Sequence, residues 1–141
     1  MGIRKAYFAA GSFWGVEYHF EKLNGVLSAI SGYMGGHIEN PNYQMVCTGF
    51  SGHLEVVEVS YDETIVSFET LTKLFFEIHD FTQINGQGPD IGSQYLSAIF
   101  YVDSEQKNIS EKLIQELERK GFKVATSLYE LVPFYEAEDY H

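Results

Sequence analysis

Arg4-Lys5-Ala6-Tyr7-Phe8-Ala9-Ala10-Gly11-Ser12-Phe13-Trp14-Gly15 is the stretch that decides the fold. Residues 4–10 form an apolar run of strand length. From residue 13 to 22 the spacing changes to that of a helix, with Val16, Phe20 and Leu23 on its inner face. Gly11 and Ser12 therefore stand where a strand turns directly into a helix. Such a turn exposes the side chain at its tip and aims unpaired helix N–H groups at it, which favours an anion there. Two bulky aromatics, Phe13 and Trp14, follow at once. Serine is also a favoured N-cap, so Ser12 reads from this stretch alone either as a cap or as the tip of a site.

Outward from this unit, Asn24-Gly25 ends the first helix. Residues 26–33 read as a second strand, followed by a Gly/Asn/Pro-rich loop over 34–43. Residues 54–61 alternate, with Val57, Val59 and Tyr61 on one face and Glu58, Ser60 and Asp62 on the other. A helix over 67–80 carries Phe68, Leu71, Phe75 and Ile78, and a long loop over 81–93 leads to a strand over 94–102. Residues 104–120 form the clearest helix: Ser104 caps it, Ile109, Leu113 and Leu117 are buried, and Gly121 stops it. A last strand is expected over 124–131. The order β-α-β-β-α-β-α-β predicts an α+β fold, a ferredoxin-like two-layer sandwich with helices on a mixed β-sheet, plus an extension.

The chain of 141 residues has no repeat, linker or low-complexity stretch and is expected to form a single domain over 1–141. Hydrophobic residues are 45% and charged residues 21%, which excludes a disordered chain. No apolar run approaches the roughly 18 residues of a transmembrane helix, and the amino terminus enters a strand with no signal-peptide pattern. With 20 acidic and 9 basic residues the net charge is −11, and no Lys/Arg cluster exists to follow a phosphate backbone, so a nucleic acid partner is not expected. The acidic end, with Glu136, Glu138 and Asp139, reads as a solvated tail. The single cysteine, Cys47, excludes an intramolecular disulfide and a multi-cysteine metal cluster. It fits a reducing, cytoplasmic compartment.

Long loops in a compact domain are usually functional or disordered, and composition decides between them. One of these loops leads into Tyr43-Gln44-Met45-Val46-Cys47-Thr48-Gly49 and then Gly52-His53-Leu54-Glu55. The other contains Gly86-Gln87-Gly88-Pro89-Asp90-Ile91-Gly92-Ser93-Gln94-Tyr95, and the chain closes on Phe134-Tyr135-Glu136-Ala137-Glu138-Asp139-Tyr140-His141. Together with Gly11-Ser12-Phe13-Trp14-Gly15, these stretches resemble, in order, the signatures of the methionine sulfoxide reductase A family. The sequence departs from the family pattern at two places: Leu54 stands where the family has alanine, and Ser12 stands where it has the nucleophilic cysteine. The resemblance implies a peptide-methionine (S)-S-oxide reductase, with the nucleophile at position 12, the acid at Glu55, and polarising hydroxyls at Tyr43 and Tyr95. It also implies a methyl pocket from Phe13 and Trp14, and Asp90 beside the site. Its substrates would be peptides and proteins containing methionine sulfoxide. It would bind no cofactor or metal and would be recycled by an external thiol such as thioredoxin, glutaredoxin with glutathione, or dithiothreitol.

Chemistry supports the same roles. Reducing a sulfoxide takes a soft nucleophile for sulfur, a proton donor for oxygen and a pocket for the S-methyl group. Glu55 opens an apolar strand, where burial would raise its pKa and keep a proton on it. A serine hydroxyl is a poor nucleophile without an activating base, so the chain is expected to bind substrate and scarcely reduce it; cysteine or selenocysteine is the expected parent residue. Cys47 matches a family position with no catalytic role and is read as structural, so the parent is either a one-cysteine type or a two-cysteine type cut after His141. A serine hydrolase elbow would need Gly-x-Ser-x-Gly, whereas this chain has Gly-Ser-x-x-Gly. His53-x-Glu55 lacks the Pro-Cys-x-x-Cys of a zinc deaminase. The remaining alternative is a noncatalytic module that binds oxidised methionine.

Overall fold

A computed structural model describes residues 2–11, 13–36, 53–88 and 90–137, with backbone alone at Phe13, Trp14 and Ser93. Ser12, Tyr43, Cys47 and the last four residues lie outside the described residues, as does most of the loop read over 34–43.

The elements are β1 (Ile3–Ala10), α1 (Phe13–Glu21), β2 (Val26–Met34), β3 (Leu54–Asp62), α2 (Phe68–Glu77), β4 (Gly86–Gln87), β5 (Asp90–Ile91), a 3-10 turn (Ser93–Tyr95), β6 (Ser97–Tyr101), α3 (Ser104–Arg119), β7 (Ser127–Glu130) and β8 (Tyr135–Glu136). The main sheet runs β7-β6-β1-β3-β2-β8. β1 is antiparallel to β3 and to β6, β2 is antiparallel to β3, and β7 is parallel to β6. The four central strands thus have the order of a ferredoxin-like βαββαβ unit. The extension adds one parallel strand at one edge and a short antiparallel strand, β8, at the other.

Alternation in the strands sorts the apolar residues into two layers. On the helix side, Ala6, Phe8, Val57, Val59 and Tyr61 join Val16 and Phe20 of α1 and Phe68, Leu71 and Phe75 of α2. Phe8 is fully buried, and its ring stacks on Phe20, Phe75 and Phe68 with centroids 5.0, 5.2 and 5.9 Å apart. Each such ring contributes about 1.5–3 kcal/mol by leaving water. On the opposite face, Tyr7, Ala9, Met34, Leu54, Val56, Ala98 and Phe100 are covered in part by Leu96 and Phe134. Here the Tyr7 hydroxyl donates to Glu58 at 2.8 Å, and Lys5 pairs with the other oxygen of that carboxylate at 3.5 Å.

Four sequence expectations change. The strand expected over 94–102 is shorter, because residues 93–95 close a 3-10 turn in which Tyr95 N–H donates to Gly92 O at 3.1 Å. Asp103, not Ser104, caps α3: its backbone is extended and its carboxylate accepts Gln106 N–H at 2.9 Å, so Ser104 is already the first helical residue. The loop over 81–93 contains the β4–β5 hairpin. At the carboxyl end, β7 is a four-residue edge strand, and residues 135–136 pair as β8 with Gly32 and Tyr33 while Glu136 stays exposed; Glu138 and Asp139 of the tail lie outside the described residues. Among the described residues no helix is long and apolar enough to cross a membrane.

Gly32 is what lets the tail lie down on β2. A Cβ at that position would fall 2.2 Å from Phe134 Cε2 and 2.5 Å from the Tyr135 carbonyl oxygen, and the carbonyl cannot move without giving up the strand pairing. Gly32→Ala is therefore expected to detach β8 at a cost of about 1–3 kcal/mol, the usual penalty for overpacking. Urea unfolding gives the loss, and limited proteolysis is expected to open a new cut within 131–137 in the variant alone.

Candidate active site

The carboxyl end of β1 is where the sequence elements converge. Ala10 pairs with Ser97 of β6, and the β1–β3 ladder runs as far as Phe8 and Val57, two residues from Ala10 and from Glu55. Glu55 shares the helix-side face of β3 with Val57 and Val59, and on its other flank it pairs with Tyr33 of β2. Its side chain is 3% exposed. A carboxyl in that position is removed from water at a strand end, beside the turn that launches α1.

Gly11 makes that turn with φ of +93°, in the region that favours glycine. A Cβ there would lie 2.7 and 2.8 Å from the Cβ and Cγ of Gln87, so the turn is seated against the stem of that side chain. Gln87 belongs to the hairpin and pairs with Asp90 in β5, which is half-buried. The 3-10 turn that carries Tyr95 packs against both β3 and β4. Tyr95 and Asp90 are thus delivered to the same end of the sheet as Glu55 and Gly11. Ser12 and Tyr43 lie outside the described residues, as do the side chains of Phe13 and Trp14, whose backbone opens α1.

Polar supports that the sequence reading missed surround this end. His53 is buried two residues before Glu55; its Nδ1 accepts Gly36 N–H at 3.1 Å, and its ring meets Tyr135 edge-on at 5.7 Å. Glu17 of α1 accepts the Ser31 hydroxyl of β2. Just beyond α2, His79 Nδ1 lies 2.6 Å from the Phe75 carbonyl and Nε2 lies 2.7 Å from Ser97 Oγ. Because a carbonyl only accepts, Nδ1 carries the proton and Nε2 accepts from the Ser97 hydroxyl. Ser97 Oγ in turn lies 2.7 Å from Thr126 Oγ1, which fixes Thr126 as the donor to it. This chain of bonds ties the end of α2 to the residue paired with Ala10. A lone histidine gives no sequence signal for such a role; Gln87 stood inside a motif but only as one of its letters.

The α+β sandwich thus gathers a buried acid, a tyrosine-bearing turn and a strand-to-helix turn at one end of the sheet. The model of the peptide methionine sulfoxide reductase family matches residues 4–141, and the chain belongs to that family of oxidoreductases. It is 50% identical over 137 residues to the peptide methionine sulfoxide reductase MsrA of Nautilia profundicola, covering 97% of this chain and 79% of that one. Among solved structures it is similar to Mxr1 from Saccharomyces cerevisiae in reduced form, with a TM-score of 0.93, 34% identity, and coverage of 99% of this chain and 82% of that one. It also resembles the structure of Mxr1 in complex with Trx2, with a TM-score of 0.70 and 26% identity, covering 98% of this chain and 83% of that one.

Burial pushes the His79 imidazole down from 6.5 to about 4, against the opposing pull of its bond to Phe75 and of Asp80. The folded protein therefore favours the uncharged ring. Its contribution to stability is present in full above about pH 6.5 and is lost as pH falls towards 4, because the unfolded chain takes up the proton first. The stability gap between the parent and His79→Asn is expected to narrow by about 3 kcal/mol over that window, measured by urea unfolding at a series of pH values.

Proposed function

We propose that the chain is the scaffold of a peptide-methionine (S)-S-oxide reductase whose nucleophile position is Ser12, and that Glu55 is the proton donor. The observation that carries this reading is Glu55, 3% exposed and two residues before Val57, which pairs with Phe8 near the end of β1. Burial disfavours the charged form of a carboxyl, which suits a group that must hold a proton until the oxygen needs it. Tyr95, and Tyr43 by resemblance, would polarise the S–O bond. Phe13 and Trp14 would enclose the methyl group, and Asp90 would stand beside the site.

With a thiolate at position 12, the reaction balances as follows. The thiolate sulfur attacks the sulfoxide sulfur while the oxygen takes a proton, and the oxygen ends on the cysteine as sulfenic acid. The substrate leaves as a thioether reduced by two electrons, and the cysteine sulfur is oxidised by two. Two external thiols then return the cysteine, giving a disulfide and water. The structure of Mxr1 with Trx2 supports a thioredoxin-type protein as that reductant. Serine cannot enter this cycle, since its hydroxyl is not ionised near neutral pH and its oxygen is a hard nucleophile. The Ser12 chain is therefore a binding form of the enzyme. A native serine at this position would instead favour a module that recognises oxidised methionine without reducing it.

Ser12→Cys is expected to gain dithiothreitol-driven reduction of methyl sulfoxides that the parent lacks; equal rates in the two forms would remove position 12 from the chemistry. In that background Glu55→Gln is expected to slow the reduction step by roughly 10² to 10⁴ with little change in substrate affinity. Both forms are expected to prefer the S epimer of a methionine sulfoxide peptide, read by fluorescence titration of Trp14, the only tryptophan.

A further inference from the structure

One polar side chain packed against the nucleophile turn has no role in the proposed chemistry. Gln87 has both ends of its amide engaged. Its Oε1 accepts Asp80 N–H at 2.8 Å, while Nε2 donates to the Asp80 carbonyl and, at 3.0 Å, to its own neighbour's carbonyl at Gly86. The side chain thereby pairs with the backbone of Asp80 as a strand would, and its torsions are fixed. Asp80 is itself held by its carboxylate, which accepts from Thr82 N–H at 2.9 Å and from the Thr82 hydroxyl at 2.5 Å. What this arrangement presents to the rest of the molecule is the stem, Cβ and Cγ, set where a Cβ of Gly11 would be. The residue before Asp80 is His79, which reaches Ser97, the partner of Ala10. Ala10 and Gly11 are thus both referred to the segment that ends α2, one through a hydrogen-bond chain and the other through a packed stem.

We propose that Gln87 is a positioning residue: the contact of its stem with Gly11 seats the turn between β1 and α1 and so governs the reactivity of position 12. The proposal rests on the assignment of position 12 as the nucleophile. A thiol held at the N–H groups of a helix start has a lowered pKa, so a turn kept from relaxing would keep such a thiol reactive. If the stem is removed, the turn has room to relax, and a displacement of about an ångström or less is enough to matter for rate. Substrate affinity depends on other groups and is left alone.

The test uses the Ser12→Cys form of the 141-residue chain with two further variants. Gln87→Ala removes the stem. Gln87→Met keeps Cβ and Cγ but loses the amide. In Gln87→Ala, kcat is expected to fall about 10- to 10²-fold with KM within about threefold of the parent. The pH at which iodoacetamide alkylates half of the thiol introduced at position 12, followed by mass spectrometry of that peptide, is expected to rise by about 0.5. Gln87→Met is expected to recover most of both effects. An unchanged kcat and thiol titration in Gln87→Ala would overturn the proposal. So would a Gln87→Met variant as impaired as Gln87→Ala, because the amide bonds that close the loop, rather than the contact with Gly11, would then be what counts. Should Ser12→Cys itself prove inactive, the assignment of position 12 fails, and the alkylation titration still decides whether Gln87 seats the turn.

Discussion

The burial of β1 between β3 and β6, with Phe8 at the focus of rings from α1 and α2, is the constraint on which the rest of the molecule depends. A central strand has both edges paired and both faces covered, so it can neither slip nor tilt without breaking two ladders and exposing two layers. Its last residues inherit that rigidity. Ala10 is fixed by pairing, Gly11 turns the chain, and α1 begins at once, with Val16 and Phe20 drawn down onto the same core that holds Phe8. The tip of β1 is thus a loop position with the precision of a strand.

Around this fixed point the fold gathers polar groups that are remote in sequence. Glu55 arrives through antiparallel pairing, Tyr95 through the 3-10 turn that packs on β3, and Asp90 through the hairpin whose other strand carries Gln87. These elements are held by ladder bonds and by side chains whose polar ends close onto backbone, as Gln87 does on Asp80 and His79 on Phe75. That division separates scaffold from reaction.

The sequence by itself determined the elements with strong period and clear punctuation: β1, α1, β3, α2 and α3, and from their order the ferredoxin-like topology. It determined the family through ordered motifs, since Gly11-Ser12-Phe13-Trp14-Gly15 and the stretch ending in Tyr95 combine rare residue types at fixed spacing. It also made Glu55 a candidate and placed it at the start of an apolar strand, where it is found buried. The tertiary structure alone decided the rest. Gln94 and Tyr95 run straight into the apolar stretch of β6 and read as strand with it, but closure of the turn on Gly92 overrides that continuity. Asp103 rather than Ser104 caps α3, because the chain leaves β6 still extended at that residue. Tyr135 and Glu136 form a strand because β2 offers them an edge and Gly32 leaves room for Phe134. His79 and Gln87 have no local pattern to announce them; their roles arise from contacts across 18 and 7 residues and from a glycine that a strand-to-helix turn requires. Periodicity reports which face a residue turns to the core, whereas what it meets there depends on the packing of segments that the sequence does not order in space.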